Sequence, residues 1–338
     1  SDLLNRGKRD IYLARVSEQG ELLWQKGFGS SENDDGRTLY AMGNNRYLLA
    51  AGIGAANGEI ENHIQATDTW LAIIDENGEL LQQATFGGNK KDSPTAITQL
   101  SGGDYVLCGE SFSETGITNY HGGGDYWLMR FDSDLNLIWE RAYGGSSFDS
   151  PWDISAGENN SCVVGGLTQS INGDIMGTFP SLNAWLVSLD PDGEITGSRS
   201  FGGGQYDGCH ALTRSPSGGI VSAGYTDSFD GDLEKHGSHW AWVMLLNDDA
   251  LGLFSVNEWS DSSELIISWN DSSKQLEIQP QDSRPYTLMV FNINGQLVQQ
   301  ITSSGSQTEK FDFPKGQYYL ITGEYGDQLI NPIRFYAH

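Results

Sequence analysis

The chain has 338 residues, and its 45 acidic against 19 basic residues give a formal net charge of −26. A surface this negative repels polyanions, which argues against nucleic acid as a partner and against direct binding to or insertion into an anionic membrane. No apolar run approaches the roughly 20 residues of a membrane-spanning helix. The opening SDLLNRGKRD has neither a methionine nor the apolar core of a signal peptide, so we expect a mature protein or a fragment.

A unit of 57 or 58 residues recurs from about residue 10 to residue 250. An aromatic residue followed by glycine marks each unit, at Phe28, Phe86, Tyr143 and Phe201. These markers lie 58, 57 and 58 residues apart. A second aromatic recurs with the same period, at Tyr12, Trp70, Trp127, Trp185 and Trp242. So steady a period indicates one supersecondary unit repeated in tandem.

Each unit contains four short runs with strand character. In the third unit they are WDISAG, SCVVGGLT, NAWLVSLD and EITGSRSFGG. Alternating apolar positions and intervening Gly, Asn and Asp are the signals of strands and hairpins. The last two runs are joined by DENG, DSDLN, DPDG or SEQG, where Asp bonds to its own backbone and Gly accepts positive φ. These turns resemble calcium loops only superficially, because the later ligands of an EF-hand are missing.

Four-stranded units in tandem predict an all-β chain in which residues 1–252 form blades of a β-propeller. The tryptophan of each D-x-W sequence is then expected to fill the space between adjacent blades. The units make four complete blades and a half blade, because the strand pair at residues 10–28 has no inner pair before it. We expect either that upstream blades are missing from this chain or that another segment completes the half blade.

The repeat resembles the β-propeller repeats of secreted and surface proteins of Bacteroidetes. Two stretches carry most of that group's recurring text, YHGGGDYWLMRFD from Tyr120 and SFDGDLEKHGSHWAWVMLLN from Ser228. The resemblance covers about residues 10 to 250 and implies the fold. It implies little about activity, because such propellers host many functions.

An aspartate stands six residues after each marker, at Asp34, Asp92, Asp149 and Asp207. Such a carboxylate can accept hydrogen bonds from backbone N–H groups of the preceding turn, which is a structural role. Alternatively, the four carboxylates form a ring that binds a cation at the mouth of the channel. Without a counterion, that ring would be self-repelling.

A histidine stands thirty-five residues after three of the markers, at His63, His121 and His236, with Thr178 in the remaining unit. Each histidine either locks its own loop by bonding to backbone or contributes to a metal site. The sequence DGDLEKH offers Asp230, Asp232 and His236 to a divalent ion. We expect no cofactor, with calcium at these three residues as the alternative.

One position varies inside this regular frame. Nine residues after the markers stand Arg37, Thr95, Trp152 and His210, which are chemically unlike one another. If the propeller binds a protein or glycan in its mouth, Arg37, Trp152 and His210 are the expected contacts. No G-x-S-x-G, H-E-x-x-H or phosphate-binding glycine loop is present, so we expect no enzyme.

The three cysteines, Cys108, Cys162 and Cys209, cannot all pair with one another. Cys108 and Cys162 lie inside apolar strand-like runs, which is typical of small buried thiols. We therefore expect no disulfide framework, and the cysteines do not indicate a cellular compartment.

Residues 253–338 follow a different pattern. Alternating strands bounded by Asn-Gly, Pro-Lys-Gly and Gly-Asp turns predict a small immunoglobulin-like β-sandwich. The segment is similar to the type A C-terminal sorting domain of type IX secretion substrates. The matching positions are Tyr286, Gly295, Val298, Pro314, Gly316, Tyr318 and Arg334. The P-N-P opening of that family is absent, and the chain ends in Tyr-Ala-His instead of a Lys-rich strand.

This resemblance implies export across the outer membrane by the type IX translocon and its outer-membrane components, to the cell surface or beyond. The leading hypothesis is a noncatalytic, secreted or surface propeller that binds protein or glycan. One alternative is an accessory subunit that stays on the translocon or on an adhesion or motility apparatus. Another is a surface hydrolase with its site in the propeller mouth. The C-terminal segment could also be an ordinary appended binding module.

Overall fold

The computed structural model describes residues 6–175, 181–215, 219–232, 240–246, 265–270, 275–280, 284–292, 297–303, 308–313, 317–325 and 328–337. The chain divides into two compact units, Ser1–Leu251 and Gly252–His338. Within the described ranges the helical content is a single 3-10 turn, Glu158–Asn160, and the prediction of an all-β chain is confirmed. In the same ranges we find no helix with the length and apolar character needed to cross a membrane.

The first unit contains a two-stranded sheet and four repeat sheets. The two-stranded sheet, here the half-sheet, consists of β1 (Ile11–Val16) and β2 (Leu22–Phe28). Sheet 1 consists of β3 (Asp35–Gly43), β4 (Arg46–Ile53), β5 (Asp68–Asp75) and β6 (Leu80–Phe86). Sheet 2 consists of β7 (Asp92–Gln99), β8 (Tyr105–Ser111), β9 (Asp125–Phe131) and β10 (Leu137–Tyr143). Sheet 3 consists of β11 (Asp149–Ala156), β12 (Cys162–Thr168), β13 (Asn183–Leu189) and β14 (Ile195–Phe201). The described strands of sheet 4 are β15 (Asp207–Arg214), β16 (Ile220–Thr226) and β17 (Trp240–Leu246).

Within each repeat sheet the strands lie side by side in chain order, so that every neighbouring pair is an antiparallel hairpin. Three of the four predicted repeats are thereby confirmed as four-stranded sheets of the kind that propeller blades have. The strand pair predicted at residues 10–28 is the half-sheet. The fourth strand of sheet 4 is expected after Leu246 and lies outside the described residues.

An aspartate closes the turn between the last two strands of a repeat sheet. In sheet 1 the Oδ1 of Asp75 accepts the backbone N–H groups of Asn77 and Glu79, both at 2.8 Å. Gly78 follows with φ 73°, a conformation that glycine adopts without steric cost. Asp190 closes the corresponding turn of sheet 3 in the same way. The predicted bonding of Asp to its own backbone is therefore confirmed.

The opening tryptophans are buried between consecutive sheets. Trp127 of sheet 2 packs in one apolar cluster with Leu48 and Leu71 of sheet 1. Trp185 of sheet 3 packs in another with Leu128 of sheet 2. Each indole therefore buries a large apolar surface against the preceding sheet, which makes it a major source of cohesion between repeats. The predicted packing role of the D-x-W tryptophan is confirmed at these positions.

The second unit contains two antiparallel sheets. Its strands are β18 (Leu265–Asn270), β19 (Gln275–Pro280), β20 (Tyr286–Asn292), β21 (Leu297–Ser303), β22 (Glu309–Phe311), β23 (Gln317–Tyr325) and β24 (Gln328–Ala337). One sheet has the order β18-β19-β22 and the other β21-β20-β23-β24. Alternate residues of β19 and β20 are buried, as strands with one covered face require. The immunoglobulin-like arrangement of the two sheets stays a prediction.

Candidate functional site

The first strand of each repeat sheet contains a β-bulge at the same repeat position. In sheet 3 the pairing passes from Pro151–Gly166 to Asp153–Gly165, and Trp152 is left without a partner across the ladder. A bulge leaves one residue unpaired and re-aims its side chain, often beside a functional site. The other three sheets skip one residue in the same way, and the bulged residues are Arg37, Thr95, Trp152 and His210. We call these four residues the bulge row.

Two members of the bulge row stack on each other. The rings of Trp152 and His210 lie 4.2 Å apart with an interplanar angle of 18°. Tyr225, on the second strand of sheet 4, lies 5.5 Å from His210 and 6.3 Å from Trp152. A Cβ on Gly208 would come within 2.9 Å of both the Trp152 and Tyr225 rings, so the absence of a side chain there makes room for them. We call Trp152, His210 and Tyr225 the aromatic platform.

The structure thus brings together two of the three residues predicted to line a binding site. His210 is exposed and Trp152 is half-buried, so the platform is accessible from solvent. Arg37 lies at the other end of the bulge row, in sheet 1, where it is exposed and lines a groove of about 540 Å³. Thr95, in sheet 2, stands between these ends.

Tyr225 was missed by the sequence analysis, although a signal was present. Its repeat position, twenty-four residues after the marker, is filled by Gly52, Glu110, Leu167 and Tyr225. This position varies as strongly as that of the bulge row. Applying the same test of variability one strand further along would have identified the third platform residue.

The repeated aspartates after the markers have the structural role. Asp92 is fully buried and accepts the Gly88 N–H at 2.7 Å, the Ser111 hydroxyl at 2.5 Å and the Ser113 hydroxyl at 2.7 Å. Asp149 repeats this pattern in sheet 3. Burial raises the pKa of both carboxyls, and the hydroxyl and N–H donors oppose that rise. These carboxylates therefore stabilise the turn that follows each marker aromatic, here called the marker turn. Because they are buried, they do not line an open channel mouth.

Three of the four repeated aspartates, Asp34, Asp92 and Asp149, face a second carboxylate across the glycine that follows the marker. A Cβ on Gly144 would come 2.6 Å from Oδ1 of Asp125 and 2.7 Å from Oδ2 of Asp149. At Gly87 the corresponding atoms are Oδ1 of Asp68, at 2.4 Å, and Oδ2 of Asp92, at 3.1 Å. The Oδ1 atoms of Asp68 and Asp125 accept no hydrogen bond in the described part of the chain. Burial, with a smaller contribution from Asp92, raises the pKa of Asp68.

In sheet 3 an asparagine replaces the first carboxylate of this pair. A Cβ on Gly202 would come 2.3 Å from Oδ1 of Asn183 and 2.5 Å from Oδ2 of Asp207. An amide has the shape of a protonated carboxyl group and carries no charge. The Asn183–Asp207 pair therefore holds at most one negative charge in the same geometry.

The two described loop histidines make different contacts: His63 bonds to backbone of its own loop, as one alternative predicts, whereas the ring of His121 lies against carboxylates. Nε2 of His63 lies 3.0 Å from the Ala66 carbonyl oxygen. Nδ1 of His121 lies 3.3 Å from Oδ2 of Asp125, and its Nε2 lies 3.7 Å from Oδ2 of Asp174 in the next repeat. The hydrogen bond to Asp125 is the main cause that raises the pKa of His121. His236 and Thr178 lie outside the described residues.

Comparisons with known proteins give limited matches. No protein-family model matches the chain. The regulatory protein FlaEY of Caulobacter vibrioides is 28% identical over 185 residues, which covers 51% of this chain and 19% of that protein. The chain thus spans about a fifth of the length of this curated relative.

A solved structure aligns with nearly the whole chain but only loosely. It is the extracellular domain of the hybrid two-component system BT3049 from B. thetaiotaomicron. The alignment covers 97% of this chain and 50% of that one, with 13% identity and a TM-score of 0.29. So low a score does not indicate a shared fold, and nothing about this chain follows from it.

The predicted calcium ligands are only partly described. Oδ1 of Asp230 accepts the Gly204 N–H at 2.8 Å, and the backbone N–H of Asp232 donates to the Gly202 carbonyl at 2.8 Å. Both contacts fasten this loop to the preceding marker turn. Among the residues that the structure describes, no cluster of three or more His, Cys, Asp or Glu side chains could hold a metal ion.

The positions predicted from the sorting-domain resemblance lie on several strands of the second unit. Tyr286 is buried at the start of the central strand β20, and burial raises its pKa to about 12. Val298 is exposed on β21. Tyr318 pairs with Tyr336, and Arg334 with Leu320, in the β23–β24 hairpin. The remaining three motif positions, Gly295, Pro314 and Gly316, lie outside the described residues.

All three cysteines are buried free thiols, which confirms the prediction made for Cys108 and Cys162. Burial raises the pKa of Cys162 and Cys209 to about 12, so neither is a thiolate at neutral pH. Burial raises the pKa of Cys108 further still. None of them is a candidate nucleophile.

Proposed function

We propose that the first unit is a β-propeller module that binds a protein or glycan at the bulge row and catalyses no reaction. The observation that carries this proposal is the bulge that recurs at one position of four sheets with four unlike side chains. A bulge that served only the frame would accept the same residue in every sheet. The variation therefore favours selection for a surface that contacts something else.

The chemistry of the row suits recognition. The stacked Trp152 and His210 offer a flat face to the apolar side of a sugar ring or to an aromatic or guanidinium group of a protein. Tyr225 extends that face, and Arg37 adds a cation at the other end of the row. Trp, Tyr and Arg are the residue types that dominate binding energy at protein interfaces.

A binding screen tests this proposal. The wild-type chain of 338 residues is applied to a glycan array and to a panel of extracellular proteins, and each binder is then titrated with the Trp152→Ala and His210→Ala variants. We expect each substitution to weaken binding about tenfold or more, as for a central interface anchor. Tyr206→Ala is the matched control, because Tyr206 is also an exposed aromatic but lies outside the row. Unchanged binding in both row variants would contradict the proposal, and turnover that Trp152→Ala abolishes would favour a hydrolase.

The second unit is proposed to be the sorting domain that directs export through the type IX translocon to the cell surface or beyond. Support comes from β24, which is the last described strand and forms an edge of its four-stranded sheet. An edge strand exposes backbone N–H and C=O groups that a partner can pair with. Removing residues 328–338 should retain the protein in the periplasm, whereas Leu297→Ser, at an exposed position outside the sorting-domain motif, should not. Export of the truncated chain would refute this role.

The same edge favours the accessory subunit as a second candidate. A translocon component that pairs with β24 and does not release it would hold the whole protein at the outer membrane. Copurification with the outer-membrane components distinguishes the two, because an accessory is recovered in stoichiometric amounts and an exported substrate is not.

A further inference from the structure

Asp153 follows Trp152 directly on β11, and its carboxylate reaches from sheet 3 to sheet 4. Its Oδ2 accepts the backbone N–H of Leu212 at 2.8 Å, and its Oδ1 accepts the N–H of Ile154 at 2.9 Å. Leu212 stands two residues after His210 on β15. One side chain thus joins the strand that holds Trp152 to the strand that holds His210.

The hydrogen bond to Leu212 lies beside the bulge of β15. The pairing of β15 with β16 steps from Cys209 to Ala211, and His210 is left outside the ladder. The ladder therefore does not fix the direction of the His210 side chain, and the backbone on either side of the bulge decides where the ring points. The bond to Asp153 holds that backbone two residues beyond the ring.

The other repeat sheets show what is particular to this position. The residues equivalent to Asp153 are Thr38 in sheet 1, Ala96 in sheet 2 and Ala211 in sheet 4. Among neighbouring members of the bulge row, Trp152 and His210 are the pair with a ring on both sides. A carboxylate is thus found at this repeat position beside the two stacked rings and not in the other three sheets.

Gly165 allows β15 to approach sheet 3 closely. A Cβ on Gly165 would come 2.6 Å from Cδ2 of Leu212 and 2.9 Å from Sγ of Cys209. The equivalent position has a side chain in sheets 1 and 2, where it is Ala50 and Cys108. Because Gly165 has no side chain, the Leu212 backbone lies near enough to sheet 3 for its N–H to reach Asp153.

The carboxylate of Asp153 is half-buried, which costs free energy. Burial raises the pKa of Asp153, and the N–H donors of Leu212 and Ile154 oppose that rise. Alanine, which sheets 2 and 4 have at this position, would avoid the cost. Packing alone therefore does not account for the aspartate, whereas the bond to β15 does.

We propose that Asp153 is a positioning residue of the aromatic platform, which holds the bulge of β15 so that His210 stacks on Trp152. A hydrogen bond to a carboxylate is about twice as strong as a neutral one, which suits it to this task. Rings that are already in place lose less conformational freedom when a ligand binds, so Asp153 adds affinity without touching the ligand. That gain in affinity rests on the proposed function, whereas the effect on the stack does not.

The stack is measured by NMR on the chain of 338 residues, labelled with carbon-13 in its histidine rings. The signals of His210 are those that disappear in His210→Gln. The ring current of an indole shifts protons above its face upfield, and Trp152→Ala gives their positions without that effect. In Asp153→Ala we expect the His210 signals to lose the upfield shift and to move to their positions in Trp152→Ala. Asp153→Asn keeps an oxygen that can accept the Leu212 N–H, so it should retain the wild-type positions.

Two further variants separate positioning from a general loss of stability. Asp104→Ala removes another half-buried carboxylate, which binds Arg130 at 2.7 Å, and should leave the His210 signals unchanged. Asp153→Thr copies Thr38 of sheet 1, and its hydroxyl lies one bond nearer the backbone than a carboxylate oxygen. It should lose the upfield shift as Asp153→Ala does, so the test stands even where the alanine variant does not fold.

Each ligand that the binding screen identifies gives a second measurement. Asp153→Ala should weaken its binding about tenfold, as Trp152→Ala does. Asp153→Asn and Asp104→Ala should bind like the wild type. If the screen identifies no ligand, the proposed function fails, and the His210 signals still decide whether Asp153 holds the stack.

The positioning role is wrong if His210 keeps its upfield shift in both Asp153→Ala and Asp153→Thr. It is also wrong if Asp104→Ala abolishes that shift, because any loosening of the unit would then have the same effect. Lost binding with an intact upfield shift would show that Asp153 contacts the ligand directly and does not position His210.

Discussion

The repeated, buried positions of the first unit, here called the frame, lie on the same strands as the bulge row. The two sets differ in burial and in how much the residue varies between repeats. Frame positions such as Trp127 and Asp149 are buried, bonded and nearly the same in each repeat. Row positions such as Trp152 and His210 reach solvent and differ in each repeat. The comparison teaches that repetition in this sequence reports packing between sheets, whereas departure from the repeat marks a surface free to bind.

The largest expected difference comes from one substitution made in both regions. Trp127→Ala removes a fully buried indole from between sheets 1 and 2 and should cost about 3–5 kcal/mol of unfolding free energy, the usual range for Trp→Ala in a core. Trp152→Ala removes a half-buried ring whose recorded partners are His210 and Tyr225, and should cost about 0.5–1.5 kcal/mol. Urea unfolding followed by far-UV circular dichroism measures both values.

Equal losses of unfolding free energy in Trp127→Ala and Trp152→Ala would contradict the distinction between the frame and the bulge row. A repeat array can also unfold in steps, because each sheet contacts only its neighbours. Coincident transitions by circular dichroism and by tryptophan fluorescence are therefore needed before the two free energies are compared.

A smaller effect is expected at the repeated aspartates. Asp92→Ala leaves the Gly88 N–H and the hydroxyls of Ser111 and Ser113 without their acceptor. Because unsatisfied buried donors are costly, the substitution should lower the unfolding free energy by about 2–3 kcal/mol. Asp134→Ala, in an exposed turn, should stay within about 0.5 kcal/mol of wild type. Thermal unfolding at pH 7 checks the pair. A stable Asp92→Ala protein would return these carboxylates to the status of candidate ligands.

Most of the frame could be predicted from the sequence, because its period is a direct record of packing. The strand order, the Asp-closed turns, the buried tryptophans and the structural aspartates all follow from residues that recur. The bulges could not be predicted, because a skipped residue is visible only when two strands are paired. The stacking of Trp152 on His210 and the carboxylate pairs across glycine likewise depend on distances between strands that are far apart in sequence.

The carboxylate pairs allow a stabilising prediction. Asp68→Asn introduces the residue type found naturally at Asn183 and should stabilise the unit by about 1 kcal/mol at pH 7, because one of the two buried carboxylates that face each other across Gly87 loses its charge. The amide oxygen can still accept the Ile64 N–H. Asn183→Asp is the reciprocal control and should destabilise by a similar amount. Guanidinium unfolding at pH 7 measures both changes.

The gain from Asp68→Asn should depend on pH in a defined direction. Burial raises the pKa of Asp68 in the folded state above 3.8, so the folded chain binds this proton more tightly than the unfolded chain. Wild-type stability is therefore lost as pH rises from about 4 through the raised pKa. The advantage of the asparagine should shrink on lowering the pH to 4. A gain that grows at low pH would contradict this assignment.

The smallest effect is expected at the seam between sheets 2 and 3, where His121 lies close to Asp125 and Asp174. Its pKa is raised above 6.5, mainly by Asp125, with Asp174 and Asp149 adding to the rise. The stability it contributes is fully present below pH 6.5 and is lost as pH rises through the raised pKa. His121→Gln should therefore destabilise the unit by about 0.5 kcal/mol at pH 5.5, as for a partly exposed ion pair, and by nothing measurable at pH 9. In the wild-type background, Asp174→Asn should reduce the difference in unfolding free energy between pH 5.5 and pH 9. In the His121→Gln background, the same substitution should leave that difference unchanged. A loss that is the same at both pH values would mean that His121 acts through packing and that the contact between sheets 2 and 3 at this residue does not titrate.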